Sequence, residues 1–135
     1  MTETIIRNTF RKDERICNQK QIDLIFSGGK ALTAGNFRLL HVKNPSVESP
    51  HLMVLMAVPK RNLRKAVFRN RMKRLMREAF RVQKHTLSLL LQKKDIHIGI
   101  AIVFNGKMIV SQQETNLAIN ELLDRLIKYY EKDSE

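Results

Sequence analysis

This 135-residue chain has one cysteine, no long apolar run, and about half as many acidic as basic side chains. The single cysteine, Cys17, excludes an internal disulfide and a zinc site built from cysteines. The longest apolar run, residues 51–58, is far too short to cross a bilayer. Since the chain also shows no secretory signal pattern, it is expected to be cytoplasmic.

Acidic residues are scarce, with 13 Asp and Glu against 25 Lys and Arg, for a formal net charge of +12. Such an excess says little about the fold, but it predicts polyanionic partners, either nucleic acid or an anionic membrane surface. Hydrophobic residues make up 43% of the chain, which is ordinary for a globular protein and excludes wholesale disorder.

Patterns that carry catalytic chemistry are also missing. A nuclease that acts alone needs carboxylates gathered around a metal ion, or a histidine pair for proton transfer. The acidic residues are scattered over separate predicted elements, and no glycine-rich phosphate loop is present. None of the histidines has a metal-ligand spacing such as HxxxH, namely His41, His51, His85 and His97. The sequence therefore predicts neither a catalytic residue nor a metal site in the protein itself.

Apolar periodicity predicts a single α+β domain over residues 16–132, preceded by a loose polar and charged arm at 1–15. Continuous apolar character predicts a buried central strand at 51–58, and strict alternation predicts a strand at 96–104. In chain order we expect a helix at 18–28, strands at 36–43 and 51–58, a helix from residue 66, a strand at 96–104 and a helix after Ser111. This α-β-β-α-β-α order describes a sheet of three or four strands packed by helices.

The basic residues concentrate between residues 60 and 84, where eleven Lys and Arg accompany one acid. A helical wheel started at Ala66 separates this stretch into two arcs. The apolar arc, expected to pack on the sheet, holds Phe68, Met72, Leu75, Met76, Ala79 and Val82. The outward arc holds Asn70, Lys73, Arg74, Arg77, Arg81 and Lys84. Because like charges at this spacing repel, the outward arc predicts an anion opposite it.

RNA is the anion that the composition of this segment favours. Arginine outnumbers lysine here, and its planar guanidinium grips phosphate in a bidentate manner and stacks on bases. A helix lying on a membrane would expose leucine or aromatic residues beside its charges, whereas this apolar arc is needed to cover the sheet. Asn70 could add a directional hydrogen bond to a sugar or base edge.

The stretch AVFRNRMKRLMREAFR resembles the signature of the bacterial ribonuclease P protein component, a helix with an R-N-R motif. The similarity is specific over residues 57–81, and the order of elements agrees from 18 to 130. The resemblance implies a left-handed βαβ crossover through the basic helix, as in the second domain of ribosomal protein S5. Such a crossover is an exception to the usual handedness.

The same resemblance implies roles and partners. In this family an RNA subunit removes the 5′ leader of precursor tRNA with Mg²⁺ held by the RNA and substrate, and the protein binds RNA rather than DNA or membrane. The implied RNA contacts are Arg64, Lys65, Arg69, Asn70, Arg71, Lys73, Arg74, Arg77 and Arg81. The implied leader cleft has Ile22, Phe26 and Leu40 as its floor, with Lys60 and Arg61 beside it.

Three points stay open at this stage. The segment KRNLRKAV lacks the glycine that many family members have before the Ala-Val pair, so its backbone path is not given by the resemblance. Phe26 and Phe37 could belong to the cleft or to the core. A structural RNA-binding protein of the ribosome, or of its assembly, is the alternative function.

Overall fold

The structure, a computed structural model, describes residues 29–43 and 51–132. These residues form four strands, β1 (Lys30–Ala34), β2 (Phe37–Lys43), β3 (Leu52–Ala57) and β4 (Ile98–Phe104). They also form three helices, α1 (Ala66–Gln83), α2 (His85–Lys94) and α3 (Gln112–Lys132). The strands make one mixed sheet in the order β1-β2-β4-β3, in which only β3 and β4 are parallel. The prediction of a small α+β domain with three or four strands is confirmed.

Two elements were not predicted from the sequence, β1 and α2. The β1 strand is short and shows little alternation, but it pairs with β2 through a two-residue turn. Gly35 in that turn has φ of 57°, a conformation that glycine adopts without steric penalty. The predicted arm at 1–15 and the predicted helix at 18–28 lie outside the described residues.

The β4 strand is one of the two interior strands of the described sheet, with β2 on one side and β3 on the other. All seven of its residues are buried. The alternation of large and small side chains along β4 therefore reflects two buried faces of the sheet, rather than one buried face and one exposed to solvent. The isoleucines join the helix-packed core, and the small residue Ala101 belongs to a second cluster on the other face. The prediction that 51–58 is central is wrong, because β3 lies at the edge of the described sheet and most of its residues are only partly buried.

The helices pack on one face of the sheet and bury the main core there. From α1 the fully buried side chains are Met72, Met76, Ala79 and Phe80. The wheel misplaced several positions at the borders of its arcs. Phe80 is buried although it was not assigned to the apolar arc, while Phe68 and Val82 are 41% and 43% exposed. Lys84, expected to face outward, is 5% exposed because it joins α1 to α2 and the chain packs around it.

The connection from β3 through α1 and α2 to β4 joins two parallel neighbours, so it is the predicted βαβ unit. Its predicted left hand stays a prediction. The helix predicted after Ser111 is confirmed as α3, and the Ser111 hydroxyl caps its start by accepting a hydrogen bond of 3.1 Å from the backbone N–H of Glu114.

His41 is a buried polar residue of β2 and lies between the sheet and α3. It is 3% exposed, and its Nδ1 atom lies 2.9 Å from the Tyr130 hydroxyl. Burial disfavours the charged imidazolium, and the nearby Lys30 ammonium disfavours it further. Together they lower the pKa of His41 from 6.5 to about 4. His41 is thus a packed histidine of the core, as its position within a strand predicts.

Acidification is therefore expected to destabilise the fold through His41. The unfolded chain takes up a proton at this residue near pH 6.5 and the folded protein only near pH 4. Above pH 6.5 the neutral His41 contributes about 3 kcal/mol to the free energy of unfolding. This contribution is lost as the pH falls from 6.5 to about 4. Urea unfolding at a series of pH values would measure the loss, and His41→Gln should reduce it. An equal pH dependence in His41→Gln would contradict the assignment.

Candidate RNA-binding surface

The turn between β3 and α1 supplies the first part of a basic surface. Its path without glycine is fixed by the backbone N–H groups of Asn62 and Leu63, which donate to the Pro59 carbonyl at 3.0 and 3.3 Å. The Leu63 side chain is buried in the core, and the Asn62 amide donates to the carbonyl of Phe104 at 3.1 Å. The turn is thus anchored to the core and to the end of β4.

We define the basic surface as the polar side chains of this turn and of the outward side of α1. All are exposed except two half-buried members, Lys73 and Arg77. Within the part of the chain that the structure describes, none of them forms an ion pair with an acid. The members of the basic surface are Lys60, Arg61, Arg64, Lys65, Asn70, Arg71, Lys73, Arg74 and Arg77. No acid among the described residues offsets these charges, and such a surface favours binding of a polyanion.

Two further cations expected to contact RNA have partners within the protein. The Arg69 guanidinium donates to the backbone carbonyls of Leu63 and Arg64, at 2.9 and 2.7 Å, and so fastens the turn to the first turn of α1. Arg81 donates to both carboxylate oxygens of Glu78, at 3.2 and 2.5 Å. This hydrogen bonding lowers the pKa of Glu78 and offsets the charge of Arg81. Arg69 and Arg81 consequently differ from the members of the basic surface.

The sheet face opposite α1 carries the one residue of the predicted cleft floor that the structure describes. Leu40 is 6% exposed, and in the sheet register it pairs with Ala101, which in turn pairs with Leu55. The resulting row is apolar, and Val42 and Met53 pack beside it. The other two predicted floor residues, Ile22 and Phe26, lie outside the described residues.

Phe37, which the sequence left between cleft and core, belongs to the core. Its side chain is 2% exposed, and its ring centroid lies 5.1 Å from that of Phe104. Phe37 and Phe104 are paired across β2 and β4, so their rings lie on the same face of the sheet. That face is the one that the helices cover.

A second basic feature was not predicted from the sequence. A groove of about 500 Å³ lies along the last turns of α3, lined by Arg125, Lys128, Tyr129 and Lys132. The Arg125 guanidinium donates to the Thr33 carbonyl at 2.9 Å and to Glu121 at 2.6 Å, so its charge is partly offset. The spacing of the three basic residues places them on one helix face, which is the signal that sequence analysis could have used.

These features define a class, a small basic α+β domain with a row of arginines on one helix that pair with no acid among the described residues. A model of the ribonuclease P family matches residues 10–130. The chain is 36% identical over 92 residues to the ribonuclease P protein component of Porphyromonas gingivalis, covering 68% of this chain and 67% of that protein. It is 37% identical over 107 residues to that of Chlorobium phaeobacteroides, covering 73% of each.

A solved structure, the ribonuclease P protein of Thermotoga maritima, has the same fold, with a TM-score of 0.64 and 26% identity. The similarity covers 83% of this chain and 96% of that one. The chain belongs to the ribonuclease P protein component family. Family membership confirms the prediction of an RNA-binding protein of tRNA processing. In the described ranges, every helix is too short or too polar to cross a bilayer.

Proposed function

We propose that this protein is the protein subunit of a cytoplasmic ribonuclease P holoenzyme and assists endonucleolytic removal of the 5′ leader from precursor tRNA. Its partners are the catalytic RNA and the precursor tRNA. The observation that carries the proposal is the presence on α1 of Arg71, Arg74 and Arg77, which pair with no acid in the part of the chain that the structure describes, in a protein of this family.

The basic surface, apart from Lys60 and Arg61, is assigned to the catalytic RNA. Arg71 and Arg74 are exposed and Arg77 is half-buried, so each guanidinium can reach a phosphate. A guanidinium binds phosphate through two parallel hydrogen bonds, which fixes orientation as well as charge. Arg69 acts differently, because its hydrogen bonds to the Leu63 and Arg64 carbonyls position the turn that carries other basic residues.

The single-stranded leader is assigned to the sheet face that contains Leu40. In the apolar row of Leu40, Ala101 and Leu55, the first two side chains are buried and Leu55 is partly exposed. Contact with a base is therefore assigned to Leu55, without the aromatic rings on which bases stack strongly. Lys60 and Arg61 follow β3 and are exposed, so they supply charge for the leader backbone.

Hydrolysis itself is assigned to the RNA partner. Mg²⁺ held by the RNA and the substrate, rather than by residues of this chain, would supply the metal-ion chemistry of hydrolysis. The contribution of the protein is to neutralise phosphates that would otherwise repel one another as the two RNA molecules approach. Cleavage consequently needs no catalytic side chain of the protein.

Reconstitution tests this function. Protein alone is expected to leave precursor tRNA intact, and protein added to the catalytic RNA should restore leader cleavage at a Mg²⁺ concentration too low for the RNA alone. A gel assay with 5′-labelled precursor tRNA measures both. The double variant Arg74→Ala/Arg77→Ala should need more protein for the same rate, whereas Lys132→Ala on α3 serves as the control. Cleavage that is indifferent to added protein would refute the proposal.

The alternative, a structural RNA-binding protein of the ribosome, receives no support from the family match. It predicts sedimentation with ribosomal particles and equal affinity for tRNA with and without a 5′ leader. A preference for the leader-bearing substrate in the assembled complex would exclude it.

A further inference from the structure

Three side chains, of which two are near each other in the chain and the third is 44 positions before the first of them, meet at the end of the sheet where β3 and β4 begin. In the parallel register Leu52 pairs with Ile98, so His51 and His97, each one residue earlier, lie side by side. The backbone N–H of Ile98 donates to the His51 carbonyl at 2.9 Å and holds the two strand starts together. The two imidazole rings stack at 4.3 Å between centroids, with an angle of 19° between their planes.

The third side chain, Asp95, comes from the end of α2. Asp95 adopts a left-handed backbone conformation, with φ of 53° and ψ of 47°, and its N–H donates to the last carbonyls of the helix. This conformation is uncommon for residues other than glycine, although Asp and Asn tolerate it. It ends α2 so that the carboxylate stands beside both histidines. The Asp95 Oδ1 atom lies 3.1 Å from Nε2 of His51 and 3.4 Å from Nε2 of His97.

These distances match those between the ligands of one metal ion. Zinc bonds of about 2.0 to 2.1 Å at tetrahedral angles separate neighbouring ligand atoms by about 3.3 Å. One ligand atom from each of the three residues can be chosen so that all lie within 4.8 Å of one another. The side chains of His51 and Asp95 are 32% and 82% exposed, so an ion has access from solvent.

We propose that His51, Asp95 and His97 form a binding site for a divalent transition metal, with Zn²⁺ as the favoured ion. Two imidazole nitrogens and one carboxylate oxygen select a borderline-soft ion over Mg²⁺, which prefers an all-oxygen shell. Three protein ligands leave the fourth position of a tetrahedral ion to water or to an oxygen of a bound partner. The ion would tie together the starts of β3 and β4 and the end of α2.

This site is separate from the basic surface. The basic surface begins at the turn after β3, whereas the histidines precede β3 and β4, at the opposite end of the parallel pair. Substitution of the three residues therefore leaves the arginines of α1 in place, and the metal site can be tested whether or not the protein acts in tRNA maturation.

Titration of the full chain with ZnCl₂ in a calorimeter tests the site, with His51→Gln and Asp95→Asn as variants. Asparagine retains the left-handed backbone, and both altered side chains are accessible, so circular dichroism should show an unchanged fold. His85→Gln removes a half-buried histidine at the start of α2 and is the matched control. Wild type and control should bind one Zn²⁺ each, and each variant at least about tenfold more weakly. A large excess of Mg²⁺ should not compete.

Two results would overturn the proposal. The first is the absence of Zn²⁺ binding by the wild-type protein, which would leave the cluster as two histidines hydrogen-bonded to a carboxylate. The second is binding of equal strength in wild type, His51→Gln and Asp95→Asn, which would locate the ion elsewhere. Substitution by Co²⁺ provides an independent readout, because its visible absorption should change in the two variants and not in the control.

Discussion

The affinity of this protein for ribonuclease P RNA is expected to fall by about a thousandfold between about 50 and about 200 mM monovalent salt. Each phosphate that a cation neutralises releases condensed counterions, and the slope of log affinity against log salt is about −0.9 per contact on a duplex. About six contacts between cations and phosphates account for this fall in affinity, and the basic surface has eight cations. Filter binding with labelled RNA across a salt series measures the slope.

Single substitutions identify the cations responsible. Arg74→Ala should reduce the magnitude of the slope by about 0.9, because Arg74 is exposed and has no acidic partner in the described residues. Arg81→Ala is the matched control on the same helix, since Glu78 already offsets the charge of Arg81. A slope near zero for the wild-type protein would refute phosphate binding. An equal reduction in both variants would refute the distinction between the two arginines.

Replacement of Met76 by alanine is expected to lower the free energy of unfolding by about 2 to 5 kcal/mol. Met76 is fully buried where α1 packs on the sheet, in the same core as Phe80 and Ile100. Truncation removes apolar contacts and leaves a cavity that the rigid sheet beneath cannot close. Urea unfolding followed by circular dichroism measures the loss.

The neighbouring Leu75 is the control for the Met76 prediction. Leu75 is only half-buried, so Leu75→Ala should lower the free energy of unfolding less than Met76→Ala. Arg74→Ala on the outward side should leave stability within about 0.5 kcal/mol of wild type. If Met76→Ala lowered the free energy of unfolding as little as Arg74→Ala, the packing of Met76 between α1 and the sheet would be contradicted.

The sequence predicted those parts of this protein that depend on local periodicity. A helical period directs side chains three and four residues apart to the same side, so the order of residues alone separates the two sides of α1. Met72, Met76 and Ala79 face the core and Arg74 faces outward, as that period requires. The predicted burial was wrong for Phe80 and Val82, which lie between the two sides of the helix. Whether such a residue is buried depends on which other elements the helix packs against.

The tertiary structure alone decided the order of the strands and the contacts between side chains that are far apart in the sequence. A continuous apolar run such as 52–57 can lie at the edge of a sheet as well as at its centre, so the place of β3 could not be derived from composition. His51 and His97 are 46 positions apart, with α1 and α2 between them. Only the parallel register of β3 with β4 brings their rings into contact with each other and with Asp95.

What the sequence by itself determined is therefore the charge, the two-sided basic helix and, through its R-N-R motif, the family. The tertiary structure decided which of the predicted cations, such as Arg69 and Arg81, bond to other described residues of the protein. It also assembled the histidine and aspartate cluster from residues with no informative spacing. The physical reason is that side-chain direction within one element follows from its backbone period, whereas contacts between elements follow from pairing register and packing, which no single stretch of the chain contains.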